Sequence, residues 1–284
     1  MEAPVRPRVV ATDLDGTLLR SDGTLSSRTR AAISWLEETG TSVVFVTARP
    51  PRWLDDLADA VGGHGTAICL NGACLYDVAG RRPLSFTGFR PSLLAALVDE
   101  LRVAAPGIAF GLERASGAVF DPHYTTTEFV IPAHTPRQAV GDVLEESVGK
   151  LIARADGVPH DDFLARVSAT VGDRAHLAYS GAVGLAEMTP VGVTKAAALA
   201  RWCEGHGVQA SEVWAFGDMP NDLPMLRWAG TSIAVANAHP DVLAEASLTT
   251  ASNDDDGVAR ALDVLRHPLD PPAPGAVDGA GMRQ

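Results

Sequence analysis

Short apolar runs alternate with amphipathic stretches along the first part of the chain. Arg8–Thr12 (RVVAT) and Thr41–Val46 (TSVVFV) are apolar runs cut off by polar residues, the pattern of strands buried in a parallel sheet. Between them, Ser26 or Ser27 can cap a helix that runs to Glu38, with Ile33 and Leu36 on one face and Gly40 ending it. Pro50-Pro51 open a second helix through Ala60, Gly62-Gly63 closes it, and Thr66–Leu70 is a third strand. This strand–helix–strand–helix–strand order predicts an α/β fold on a doubly wound parallel sheet.

The rhythm changes near Asn71-Gly72. Strand patterns at 73–76, 84–87, 108–112, 118–120, 150–154, 176–179 and 184–187 are interrupted by helix patterns at 91–103, 137–146 and 161–171. Strands joined by short turns predict an α+β insert with an antiparallel sheet. After Pro190 the alternation returns, with helices at 194–206, 221–228 and 254–265 and strands at 212–216 and 232–235. Trp35, Trp202 and Trp228 fall on helix patterns and read as packing residues. The final stretch, HPLDPPAPGAVDGAGMRQ, is rich in Pro, Gly and Ala and reads as a disordered tail over 267–284.

Composition narrows the function. The 284 residues suggest two domains, and 46% hydrophobic with 20% charged content is that of a globular protein. The net charge of −12 argues against nucleic-acid or anionic-membrane binding, which need clustered positive charge. No apolar run is long enough for a membrane span, and MEAPVRPRVV lacks the apolar stretch of a signal peptide. Cys69, Cys74 and Cys203 form no CxxC pair and read as packed, reduced thiols, so a cytoplasmic protein is expected. Of the 23 basic residues only Lys150 and Lys195 are lysines, leaving 21 arginines.

Chemistry-bearing residues fall at the ends of the predicted strands. Asp13-Leu14-Asp15-Gly16-Thr17 follows the first, in the place where open α/β sheets bind ligands. An EF-hand calcium loop is excluded, because its further acids before a Gly at the sixth position are missing. Thr47 ends the second strand, in Thr47-Ala48-Arg49-Pro50; Lys195 opens a helix; and Gly217-Asp218-Met219-Pro220-Asn221-Asp222 follows the strand EVWAF. Four acids brought together would repel one another. A divalent cation reconciles them, and oxygen-only donors suit Mg²⁺. A hydroxyl and an ammonium beside a metal and a nucleophilic carboxylate match phosphoryl transfer, whose transition state spreads negative charge over oxygens.

With these four motifs in this order, the chain resembles the haloacid dehalogenase-like hydrolase superfamily. GDMPNDLPML and CLNGA bring it closest to the Cof-type phosphatases, over roughly residues 8–266. Ala48 and Ala196 stand where the family often has Gly. The resemblance implies a Rossmann-like core over 1–82 and 188–266 with an inserted α+β cap over 83–187. Only 32 positions separate Asp15 from Thr47, against 148 from Thr47 to Lys195, which places the insert between the second and third motifs. It also implies an aspartyl-phosphate intermediate on Asp13, acid–base catalysis by Asp15, and phosphoryl contacts from Thr47 and Lys195. Mg²⁺ would be held by Asp13, the Asp15 backbone carbonyl and Asp218, with Asp222 acting through the metal's water, and Asn221 would position Lys195 or the phosphate.

The expected activity is Mg²⁺-dependent hydrolysis of a small phosphorylated metabolite, a sugar phosphate or similar monoester, by a monomer or homodimer. A phosphomutase and a weakly catalytic phosphate-binding regulator remain alternatives. Around this set, Ala48 and Arg49 are candidate substrate contacts, Arg49 being equally readable as a surface ion pair. Asn71 is either a substrate contact at the hinge or a plain Asn-Gly turn. His123 and Tyr124 are weaker candidates in the insert, and Asp254-Asp255-Asp256 reads as a solvated helix start rather than a second metal site.

Overall fold

The computed structural model describes residues 6–54, 65–127, 129–144, 146–155, 157–179 and 183–266. The helix expected at 50–60 lies largely outside the described residues, apart from one turn at Pro51–Trp53. The tail expected over 267–284 also lies outside them.

The apolar runs become parallel strands, as their two-sided burial requires. β1 (Val9–Thr12), β2 (Ser42–Val46) and β3 (Thr66–Cys69) pair in parallel. Ser26 caps α1 (Ser27–Glu38), its hydroxyl accepting the Thr29 N–H at 3.0 Å. Past β3 the chain adds an antiparallel hairpin, β4 (Cys74–Asp77) and β5 (Arg82–Phe86).

The insert follows. α2 (Pro91–Ala104), β6 (Ala109–Arg114), β7 (Gly117–Phe120), β8 (Val148–Arg154), α3 (His160–Val171), β9 (Ala175–Ala178) and β10 (Leu185–Pro190) form it. Its five strands make a second sheet, in the order β7-β6-β8-β10-β9, with every pair antiparallel. The expected boundaries at 82/83 and 187/188 fall inside β5 and β10. Strand alternation puts Phe110, Leu112, Leu151 and Met188 in one core with Leu97 and Leu101 of α2 and Phe163 and Val167 of α3.

The chain then rejoins the first sheet. α4 (Lys195–Gly205), β11 (Val213–Gly217), α5 (Leu223–Trp228), β12 (Thr231–Ala234), α6 (Pro240–Glu245), β13 (Leu248–Thr249) and α7 (Gly257–Arg266) complete it. The sheet order is β13-β12-β11-β1-β2-β3-β4-β5. The chain leaves β1 toward β2 and returns to its other side as β11. The crevice at the C-terminal ends of these strands is therefore the topological switch point, where such sheets bind ligands.

Three local readings change. The helix expected at 137–146 is a single turn at Val140–Asp142. The Val140 N–H goes to the Asp121 carboxylate at 2.9 Å rather than to a carbonyl one turn back, and Arg137 donates to the Tyr124 carbonyl at 2.6 Å. The short elements α6 and β13 carry too few apolar positions to show a period. The three cysteines are buried, as expected, and burial pushes the Cys74 and Cys203 thiols up to about 11.

One backbone contact ties β3 to the start of α4. Gly72 has φ +110°, and a Cβ there would sit 2.4 Å from the Thr194 carbonyl oxygen, next to Lys195. Gly72→Ala is expected to cost about 2–3 kcal/mol, combining a left-handed backbone with a clash against main chain. Urea unfolding of the purified variant measures it; an unchanged midpoint would show that the loop can move aside.

Candidate active site

Three strand ends and one helix start bring the predicted residues together. Asp13 follows β1, Thr47 follows β2, Asp218 follows β11, and Lys195 is the first residue of α4. Thr194 caps that helix, accepting the Ala197 N–H at 3.1 Å, and so fixes where the lysine leaves the backbone.

Lys195 is 3% exposed and bridges two carboxylates, donating to Asp13 Oδ1 and Asp222 Oδ1 at 2.6 Å each. Burial works against its charge, but the two carboxylates outweigh it and hold the ammonium above its ordinary range. Asp222 is fully buried, and its second oxygen accepts the Asp218 and Met219 N–H groups at 3.1 Å. Asp222, not Asn221, therefore positions Lys195. Asn221 instead donates to Asn71 Oδ1 at 3.3 Å.

Carboxylate oxygens of Asp13, Asp218 and Asp222 lie within 4.8 Å of one another. Burial pushes the Asp13 carboxyl well above its usual range; Lys195 pulls it down, and Asp222, Asp218 and Asp15 push it up again. Asp218 is pushed up to about 6, first by burial and then by Asp222, while the hydrogen bond from Thr17 (2.6 Å) lowers it. Three buried acids share one ammonium, so the cluster has two more acidic groups than cations to balance them. A small divalent cation with oxygen ligands fits that deficit.

Asp15 has a different environment. Its side chain is 57% exposed and is gripped by Arg49, with Nε to Oδ2 at 2.8 Å and Nη2 to Oδ1 at 2.5 Å. The planar guanidinium matches both carboxylate oxygens. Thr47 is fully buried, and its hydroxyl oxygen accepts the Arg49 N–H at 3.0 Å. Asn71 has φ +54° and donates its backbone N–H to the Thr47 carbonyl at 3.0 Å.

A cavity of about 530 Å³ opens between the two sheets. Asp13, Asp15, Ala48, Arg49, Lys195 and Asn221 line it; Thr47, Asn71, Asp218 and Asp222 stand behind its wall. The rest of the lining comes from residues that the sequence did not mark as site candidates: Arg52 and Trp53 in the turn after β2, and Glu113, Phe129, Lys150, Ile152, Leu185 and Glu187 on the insert. The available signal was a charge within an apolar strand, as at Glu113, Lys150 and Glu187. Lys150 is the second of the chain's two lysines and donates to the Ala48 carbonyl at 2.8 Å. His123 is exposed and Tyr124 is buried against Phe120, and neither lines the cavity. Asp254 and Asp256 bind Ser21 and Arg20.

Asp222→Asn tests the clamp. An amide has one acceptor oxygen and must turn its NH₂ toward either Lys195 or the two backbone N–H groups. The expected loss is about 3 kcal/mol in urea unfolding, the scale for breaking a buried ion pair. A variant as stable as the parent would show that Asp13 alone holds the lysine.

Known proteins share this architecture. The family model described as haloacid dehalogenase-like hydrolase matches residues 10–262. The 5-amino-6-(5-phospho-D-ribitylamino)uracil phosphatase YitU of Bacillus subtilis is 31% identical over 270 residues, covering 90% of this chain and 97% of that protein. The pyridoxal phosphate phosphatase YbhA of Escherichia coli is 28% identical over 271 residues, covering 89% and 96%. In fold, SMU.1108c from Streptococcus mutans superimposes with a TM-score of 0.81 at 23% identity, covering 92% of this chain and 99% of that one. With the family model spanning both segments of the first sheet and the insert between them, this chain belongs to the haloacid dehalogenase-like hydrolases.

Proposed function

We propose that this protein is a Mg²⁺-dependent phosphatase that hydrolyses a small phosphorylated metabolite through an aspartyl phosphate on Asp13. The observation that carries this reading is the buried Asp13 carboxylate, pinned by Lys195 at 2.6 Å on the wall of a metabolite-sized cavity. Curated relatives that act on a ribitylaminouracil phosphate and on pyridoxal phosphate support the substrate class.

Lys195 fixes the orientation of the Asp13 carboxylate, so its oxygen approaches phosphorus along one line. That oxygen forms a bond to phosphorus as the ester bond to the leaving group breaks, and Asp15 gives the departing oxygen its proton. Asp15 then accepts a proton from water, whose oxygen attacks phosphorus and releases Asp13 with inorganic phosphate. Arg49 lines the same cavity as Asp15, so an incoming phosphate competes for its guanidinium and frees Asp15 to take the monoester monoanion's proton, which it then gives to the leaving oxygen. Lys195 and Thr47 are the proposed partners of the phosphoryl oxygens, with Ala48, Asn71 and Asn221 shaping the surrounding loops.

Asp13, Asp218 and the Asp15 backbone carbonyl would hold Mg²⁺, with Asp222 adding charge beside it; all are oxygen donors. When bound, the ion offsets the negative charge of the nucleophile and of the phosphoryl group.

Two outcomes are expected. Asp13→Asn keeps the parent's circular dichroism but loses phosphate release from p-nitrophenyl phosphate by roughly 10³-fold or more; substantial turnover would remove Asp13 as nucleophile. The second concerns pH. The folded-state value of Asp218, about 6, lies above the ordinary 3.8. Folding therefore takes up protons between about pH 4 and 6, so stability from this group falls as pH rises through that window and stays low above it. Mg²⁺ competes with that proton. The rise in melting temperature on adding Mg²⁺ is expected to be larger at pH 7.5 than at pH 5, and an increment that grows toward pH 5 would contradict the assigned ligands.

A further inference from the structure

The wall of the cavity opposite Asp13 has a chemistry of its own. Strand alternation and register place Glu113 of β6 beside Lys150 of β8, and Ile152 of β8 beside Glu187 of β10, on the sheet face turned to the cavity. The charged groups there are nearly saturated. Both Glu113 oxygens are taken by Arg52, and Lys150 donates to the Ala48 carbonyl and to Glu187 Oε1. Glu187 is 5% exposed, yet its Oε2 is buried and, among the described residues, has no hydrogen-bond donor. A carboxylate oxygen left so costs free energy unless a donor arrives.

Apolar side chains line the same cavity. Trp53 and Phe129 meet edge to face, with ring centroids 4.9 Å apart and planes at 63°. Ile152 and Leu185 continue the surface. A polyol presents hydroxyls around its whole rim, and this wall would leave several of them without partners. A planar ring lays its faces on such a wall and needs a partner only at its polar edge.

We propose that Glu187, held by Lys150, is a specificity-determining residue whose Oε2 accepts a hydrogen bond from the leaving group. The substrates it selects are phosphomonoesters of nitrogen heteroaromatic rings that carry an amino or ring N–H donor, in preference to sugar phosphates. This rests on the phosphatase reading above. Glu187→Gln inverts the recognition: with Lys150 claiming the amide oxygen, the NH₂ faces the substrate's donor and an acceptor becomes a second donor.

The experiment measures kcat and KM, with Mg²⁺ present, for three probes. Pyridoxamine 5′-phosphate carries the amino-bearing ring, glucose 6-phosphate is the polyol ester, and p-nitrophenyl phosphate has an aromatic ring without a donor. The parent is expected to favour pyridoxamine 5′-phosphate over glucose 6-phosphate by at least about tenfold in kcat/KM. Glu187→Gln is expected to lower the ratio of kcat/KM for pyridoxamine 5′-phosphate over p-nitrophenyl phosphate by at least about tenfold, mainly through KM. A parent that prefers glucose 6-phosphate, or a folded Glu187→Gln variant with an unchanged ratio, overturns the proposal while leaving the phosphatase reading intact. A parent inactive on all three probes overturns the phosphatase reading itself. Should the variant fail to fold, the parent's preference between the two metabolite esters decides.

Discussion

One ammonium group makes the site buildable. Asp13, Asp218 and Asp222 are buried with oxygens within 4.8 Å of one another. At an effective dielectric of about 20, each such pair of unit charges repels by about 3–4 kcal/mol. Lys195, at 2.6 Å from two of them, returns about 6 kcal/mol per contact on the same scale. Attraction therefore wins locally, but three carboxylates against one ammonium still leave two negative charges. The fold holds them in place, and the proposed divalent cation would offset that deficit.

Holding those charges requires main chains to come closer than side chains allow. A Cβ on Gly16 would lie 2.4 Å from Asp218 Oδ2, and one on Gly217 would lie 2.6 Å from the Asp222 Cβ. Gly72 brings the turn after β3 against Thr194, just before the lysine. Glycine at these points lets four segments far apart in sequence converge on one spot. The polar side chains then need little freedom of their own, because backbone N–H groups and the Thr17 hydroxyl aim them.

The inserted sheet supplies what the first sheet lacks, a second wall over the cavity. One ion pair and one hydrogen bond join the sides there. Arg52, in the turn after β2, reaches Glu113 of the insert, and Lys150 of the insert reaches the carbonyl of Ala48. The two sides of the cavity are thus distinct: Asp13 after β1 and Lys195 at the start of α4 line one, while β6, β8 and β10 present Glu113, Lys150, Ile152 and Glu187 on the other. Among the described residues no helix is long and apolar enough to cross a membrane.

The sequence by itself determined most of the architecture and the first wall of the site. Apolar runs cut off by polar residues, such as RVVAT and TSVVFV, read as strands buried on both faces, and carboxylates placed directly after such strands emerge at the sheet's C-terminal edge. DLDGT, Thr47, Lys195 and GDMPND were legible for that reason. Tertiary structure decided the rest, because pairing across the chain carries no local signal. Asp121 captured the Val140 N–H and cancelled a helix that periodicity favoured. Lys195 took Asp222, while its neighbour Asn221 turned to Asn71. Arg49 closed on Asp15 in an ion pair that lines the cavity. Glu113, Lys150 and Glu187 stood out in sequence only as charges in apolar strands. Their face, register and partners were fixed when β6, β8 and β10 paired, since a shift of one residue would have turned all three away from the cavity.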